Sequence, residues 1–328
     1  MASVGENIPG CSGTGTSGDP YKYENATGFK NAIAVVDAYV VANEENMVFD
    51  VNDGIIPSSL SIACNSLNGK GTTIRNLYRT TAGALISTPS SNKNTYISNM
   101  NFYNMMLINN AANTEIRIIN TYNDDYRVKN FTNCNFTGII RGSAINFYKG
   151  LIASNANSYT GNDQGFYNCT FNFNIDGSQY SSSALNYGLF WSNDNNYVMS
   201  NCTICISGKF NYDFYLVNNY HMINCTVMNK STNPIVISGN HTIYITQNSA
   251  EYNYFKPYIT QSSGDTVTLN VGNNASKTLV NRSRIDNVSI SGTCISMQED
   301  DPTSPDNDYI YDAENLANAG FLIGTVIE

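Results

Sequence analysis

Phe131-Thr132-Asn133-Cys134-Asn135-Phe136 is the stretch that decides the fold, because it returns along the chain with its apolar slots intact. The phrase reads Phe166-Tyr-Asn168-Cys169-Thr-Phe171, then Met199-Ser-Asn201-Cys202-Thr-Ile204, then Met222-Ile-Asn224-Cys225-Thr-Val227. Plainer copies stand at Ile97-Ser-Asn99-Met100-Asn-Phe102 and Ile285-Asp-Asn287-Val288-Ser-Ile290, and a partial one, Ile74-Arg-Asn76-Leu77, precedes them. Asn76, Asn99, Asn133, Asn168, Asn201 and Asn224 follow one another at intervals of 23, 34, 35, 33 and 23 residues. Recurrence at such periods marks one supersecondary unit stacked on the next, a solenoid.

The chemistry of the phrase says which solenoid. Its apolar residues stand two apart and are bounded by Asn, Gly, Ser and Asp, which is the period of strands joined by turns and not of a helix. An Asn that returns to one place suits a bend, since Asn tolerates the left-handed region and can stack its amide on the next copy as a ladder. The residue after it, Cys134, Cys169, Cys202 or Cys225 in four copies, then points into the dry interior. A spacing of 23 fits one coil of a parallel β-helix, and spacings of 33 to 35 fit one coil plus a loop of about ten residues. Those loops are expected near 104–130, 141–165 and 177–198, where function would sit.

Composition narrows the partners. In 328 residues the charged fraction is 13%, against roughly 25% in ordinary soluble domains. Asn, Ser, Thr and Tyr therefore make the polar surface. A net charge of -9 with 17 Lys and Arg and no basic cluster excludes nucleic acid as the expected partner, because phosphate neutralisation supplies most of that affinity. Glycan or protein is the expectation instead. The opening Met1-Ala-Ser-Val-Gly-Glu6 has neither a charged n-region nor an apolar h-region, and no run approaches the roughly 18 apolar residues of a membrane span. Sequons such as Asn168-Cys-Thr then read as by-products of composition.

The chain has eight Cys. Four fill the inward slot of the phrase, which reads as a column of packed thiols. Cys202-Thr-Ile-Cys205 resembles CxxC, but positions i and i+3 of a strand face opposite sides, so one metal or one disulfide is not expected there. Neither a metal site nor a cofactor is expected elsewhere.

The ends differ from the middle, as caps of a repeat array do. Residues 1–24 hold Gly10-Cys-Ser-Gly-Thr-Gly-Thr-Ser-Gly-Asp-Pro20 and read as a flexible leader. Residues 25–45 read as an amphipathic capping helix and a first strand: Phe29, Ala32, Ile33, Val36 and Val40 form one apolar face, with Asn25 or Thr27 as N-cap. The parallel β-helix is expected over 46–296. An acidic, Pro-broken linker spans 297–308, and 309–328 read as a tail that docks on a neighbour or caps the second end.

Several of these segments resemble a known group. Gly13-Thr-Gly-Thr-Ser-Gly-Asp-Pro-Tyr21, Phe29-Lys-Asn-Ala-Ile33, Ala38-Tyr-Val40, Leu67-Asn-Gly-Lys-Gly71 and Thr73-Ile-Arg-Asn-Leu-Tyr78 look like the opening of right-handed parallel β-helix proteins, pectate-lyase-like in fold, encoded by bacteriophages and prophages. Asp312-Ala-Glu-Asn-Leu-Ala-Asn-Ala-Gly-Phe-Leu-Ile-Gly324 looks like a tail phrase of the same group. The resemblance implies an all-β, right-handed parallel β-helix. Its members include virion fibre-like proteins, adhesins and lyase-like enzymes, so fold does not decide function.

An enzyme of this kind needs two carboxylates across a groove, or a base with an acidic partner. Asp124, Asp125, Asp163, Asp176, Asp194 and Asp213 do not recur one coil apart in one slot, and His221, His241, Lys149 and Arg141 stand alone. No catalytic residue is assigned. Binding has more support: Tyr180, Tyr187, Trp191 and Tyr197 combine aromatic faces with Asn and Ser in one expected loop, a set that contacts sugar rings and protein surfaces. The sequence thus points to a non-enzymatic virion structural protein, a capsid decoration, fibre or tail-associated component made in the host cytoplasm. Its expected partners are other virion proteins, copies of itself and host surface glycan. The alternatives are a tailspike-type depolymerase and a cell-surface adhesin.

Overall fold

The computed structural model describes residues 2–88, 94–108, 116–123, 129–141, 151–156, 164–177, 189–192, 197–210, 214–218, 220–231, 235–238, 242–245, 257–260, 267–271, 288–294 and 322–323. They are mostly β-strand, arranged in two sheets rich in parallel pairs. In the eight-stranded sheet, strands Leu60–Ser61, Gly83–Thr88, Ile116–Asn123, Ile152–Ala156, Phe190–Ser192, Phe214–Asn218, Ile235–Ser238 and Pro257–Thr260 lie side by side in chain order. Each pairs in parallel with the next. The larger sheet repeats the pattern, from Tyr39–Ala42 through Ser66–Arg75 and Thr95–Ile108 to Asn135–Arg141, Thr170–Gly177 and Thr203–Phe210.

Register stacks like on like. Ile97, Phe131, Phe166 and Met199 are partners in turn, and so are Ile74, Phe102, Phe136, Phe171 and Ile204. The Phe102, Phe136 and Phe171 rings lie nearly parallel, with centroids 5.2 and 5.0 Å apart, and Phe131 stacks on Phe166 at 5.1 Å. Strands about 4.8 Å apart set that repeat, so one apolar slot becomes a continuous column. Phe190 of the smaller sheet closes on Phe171 edge-to-face at 4.9 Å, which joins both sheets in one core. Among the described residues two cations are also buried: Arg117 donates to Asn120 Oδ1 at 2.7 Å, and Lys129 Nζ donates to Thr95 Oγ1 at 2.9 Å.

The helix runs Ala26–Ile33, and its N-cap is Asn25, whose Oδ1 accepts from Gly28 N at 2.9 Å. It is shorter than the apolar periodicity implies. Val36 is half-buried beyond its end and Val40 belongs to the strand Tyr39–Ala42, because a strand's inward residues fall in step with a helical count over so short a span. Phe29 packs beneath it against Tyr23 and Phe49, with centroids 5.3 and 5.6 Å away.

Residues 2–24 are not a loose leader. Tyr21–Tyr23 is a strand paired in parallel with Tyr39–Ala42 and antiparallel with Cys11–Ser12, and both of its tyrosines are fully buried. Tyr21 donates to the carbonyls of Ser3 and Glu6, and Tyr23 shares a hydrogen bond of 2.8 Å with Thr72 Oγ1. The glycines serve close approach here: a Cβ on Gly28 would lie 1.9 Å from Gly10 O. Gly-rich composition reads as flexibility, whereas the physical use is backbone against backbone.

The spans expected as loops also hold structure. Ile116–Asn123, Ile152–Ala156 and Phe190–Ser192, the strands of the smaller sheet, fall inside 104–130, 141–165 and 177–198. The acidic linker, at 297–308, and all of the tail but 322–323 lie outside the described residues.

Candidate functional site

The site grows from the bend inside the repeated phrase. Asn76, Asn99, Asn133, Asn168 and Asn201 all have left-handed backbone, with φ between 53 and 64°. Asn is the non-glycine residue that carries this conformation best, which is why it returns. The next residue turns inward: Cys134, Cys169 and Cys202 are buried, and each Sγ donates to a carbonyl of the preceding strand, Ile97, Phe131 and Phe166 respectively, at 3.7, 3.4 and 3.4 Å. Each also reaches the carbonyl two residues back. Burial pushes the Cys169 thiol well above the usual range. Cys205 is buried as well. Asn224 and Cys225 lie in the strand Tyr220–Ser231, their side chains outside the described residues.

The amides form ladders, but not the single one that the spacing implies. Asn133 Nδ2 donates to Asn99 Oδ1 at 3.2 Å, and Asn99 Nδ2 donates to Asn68 Oδ1 at 3.0 Å. Asn76 belongs to a second column, bonded to Asp50 Oδ1 and Oδ2 at 2.9 and 2.8 Å and accepting from Asn104 Nδ2 at 2.6 Å. The register explains the difference: Ile74 pairs with Phe102 and not with Ile97, which carries Asn76 opposite Asn104. Asn68-Gly-Lys-Gly71 is the counterpart of the Asn99 bend, with Lys70 and Gly71 left-handed at φ 46 and 87°. The two bonds from Asn76, then that from Asn52 N, hold the half-buried Asp50 carboxyl below its ordinary range.

A second amide row runs beside the first, two residues further on. Asn135 Nδ2 donates to Asn101 Oδ1 at 2.7 Å, and Asn101 Nδ2 donates to Gly71 O at 2.9 Å and reaches Thr73 Oγ1 at 3.4 Å. Between the rows lies an open groove of about 500 Å³ lined by Glu45, Asn46, Asn68, Lys70, Gly71, Asn99, Asn101, Asn133 and Asn135. Asn46 N donates to Lys70 O at 3.0 Å, and Gly71 takes a left-handed backbone at φ 87° that glycine carries without strain, which closes this end. Chemically the groove offers amide donors and acceptors in two fixed rows, with one carboxylate and one ammonium at its end.

The aromatic residues expected to bind are not gathered in the described part. Tyr180 and Tyr187 lie outside it; Trp191 is in the smaller sheet, paired with Ala153 and Asn218, and Tyr197 is in the larger one, paired with Gln164 and Tyr220. The side chains of Trp191 and Tyr197 also fall outside the described residues. Of the weighed carboxylates, Asp176 is described, exposed, and placed in register between Arg141 and Lys209. Asp124, Asp125, Asp163, Asp194 and Asp213 lie outside. Among the described residues no group of three or more His, Cys, Asp or Glu could hold a metal, and no helix is long and apolar enough to cross a membrane.

Sequence reasoning missed Asn68, Asn101 and Asn135. A signal for two of them was present: the slot after Met100 and Cys134 is Asn in those copies and Thr after Cys169 and Cys202, a row of polar residues that a strand turns outward. Comparison with protein-family models, with curated proteins and with solved structures found no match to this chain.

Proposed function

We propose that this chain is a right-handed parallel β-helix that serves as a non-enzymatic structural component of a bacteriophage particle, on the capsid surface, a fibre or the tail. The observation that carries the reading is the succession of in-register parallel strands whose residues repeat as columns, with Phe, Cys and Asn each stacked on their like. Such an array is a rod that buries its own core and grows along one axis. Its flanks present Asn, Thr, Ser and Tyr with few charges, a surface suited to host glycans and to neighbouring virion proteins, copies of itself included. The likeness of both ends of the sequence to phage-encoded β-helix proteins supports the same role.

Immunogold electron microscopy of intact phage particles, with an antibody raised against the recombinant chain, tests this. Label on heads or tails is the expected outcome and separates capsid decoration from host attachment. Clean particles beside labelled cell surfaces would overturn the virion role in favour of an adhesin. Release of reducing or unsaturated ends from host polysaccharide by the purified chain would overturn the non-enzymatic one.

A further inference from the structure

We propose that the asparagine-lined groove binds a linear, uncharged glycan lying along the ladders, across the strands. The inference deepens the virion reading and rests on it only for where the glycan is met.

The hydrogen-bond inventory gives the ligand class. A side-chain amide has two N–H donors and two acceptor lone pairs. Asn99 uses one N–H on Asn68 and one lone pair for Asn133; Asn101 accepts from Asn135 and directs its NH₂ to Gly71 and Thr73. Asn99 therefore keeps a donor and an acceptor for a ligand, and Asn101 keeps an acceptor. Hydroxyl groups both donate and accept, so a polyhydroxylated chain matches this mixture where a purely accepting or purely donating ligand does not.

Periodicity and charge narrow it further. The rungs recur at about 4.8 Å, so a ligand that uses several must itself be a repeating polymer. Glu45 and Lys70 oppose each other in sign at one end and the remaining lining is uncharged, which gives a polyanion no row of cations to meet. The chain's net charge of -9 disfavours a polyanion as well. Ladder bonds already fix the amide rotamers, which lowers the ordering cost of binding. Tyr39 and Tyr96, 36% and 40% exposed, stand on the outward face of the strands entering the groove. Both are in register with Ser66, hence two strand spacings apart.

Saturation-transfer NMR on the full chain tests the proposal, with cellohexaose, maltohexaose and chitohexaose as neutral probes and hexagalacturonate as the acidic one. Transfer to at least one neutral hexasaccharide is expected, with little to hexagalacturonate. Its Kd should rise at least tenfold in Asn101→Ala/Asn135→Ala, and stay unchanged in Asn174→Ala, whose exposed amide bonds Ser207 outside the groove. In the unaltered chain, saturation should shift the Nδ2 resonances of Asn101 and Asn135, a readout that survives failure of the double variant to fold. No transfer from any neutral probe, binding undiminished in a folded double variant, or unmoved Asn101 and Asn135 signals would each overturn the proposal. Unlabelled particles with intact glycan binding would sink the virion role alone; labelled particles without binding would sink the groove alone.

Discussion

Replacing Asn133 separates the two forces that place asparagine at the bend. The residue holds φ 53°, and its Nδ2 bonds Asn99 Oδ1 at 3.2 Å. Left-handed backbone costs an ordinary L-residue about 1–2 kcal/mol, a cost that glycine does not carry. A hydrogen bond of this kind contributes about 0.5–1.5 kcal/mol net. Asn133→Gly loses only the bond and should lower the unfolding free energy by about 1 kcal/mol, while Asn133→Ala loses both contributions, about 2–3 kcal/mol. Asn135→Ala is the control: it gives up a 2.7 Å bond to Asn101 from ordinary strand backbone and should cost about 1 kcal/mol. Urea titration followed by far-UV circular dichroism measures all three, provided the m-value is unchanged. Alanine at 133 as stable as glycine would refute the argument that backbone conformation selects the residue.

Phe136 lies between two stacked rings, so Phe136→Ala should cost about 3–5 kcal/mol by thermal or urea unfolding, and a loss under 1 kcal/mol would mean that the column does not carry the core. Burial pushes the Cys64 thiol up to about 12, and burial followed by Glu24 pushes Cys11 up to about 11. Both groups hold their protons more tightly when folded than in an unfolded chain, where a thiol titrates near about 8.5, so their stabilising effect is complete below that pH and is lost as pH rises toward 12. Unfolding midpoints should therefore fall between pH 9 and 11, and a flat profile would contradict it. Half-buried Cys11 should react with a disulfide reagent at pH 8 as though roughly one thiol in a thousand were ionised, the rate rising tenfold per pH unit. Asp50 binds protons less readily folded than unfolded, so its contribution is present above the ordinary carboxylate pKa and lost as pH falls through its depressed value. In Asn76→Gly its NMR titration midpoint should move up toward the ordinary value; an unmoved midpoint would discount the Asn76 amide as the cause.

The strand-and-bend unit was legible because one residue type met two demands at once: Asn at the left-handed turn and an apolar neighbour facing in. The N-cap was legible as Asn25 or Thr27, and the hydrogen bond from Gly28 N selects Asn25, with Thr27 inside the helix. Register was not. Ile74-Arg-Asn76-Leu77 copies the phrase in letters, but its strand aligns with Phe102, and only tertiary pairing decides which asparagines share a column. The smaller sheet was hidden because Ile116-Arg-Ile-Ile119 carries no recurring marker that sets it apart from a loop. The groove was hidden for a related reason: Asn68 precedes a Gly-Lys-Gly bend that does not resemble Asn-Cys, although the backbone places it under Asn99.

The thiol column and the amide ladders also bear on how such a chain changes length. From Asn133 to Asn168 the backbone advances by one full register, and Asn133 N donates to the carbonyl of Tyr167 as Asn168 N does to that of Ser200. Excising residues 134–168 would set Cys169 where Cys134 stands, one sulfhydryl for another, with Phe171 against Phe102 in place of Phe136. Duplicating the same segment would present each new group with a counterpart of its own kind. Genetic gain or loss of a whole repeat is thus a conservative event for this architecture, whereas a single-residue insertion inside Phe131–Phe136 shifts every inward side chain to the outside. Length is the property in which descendants of such a sequence are free to differ.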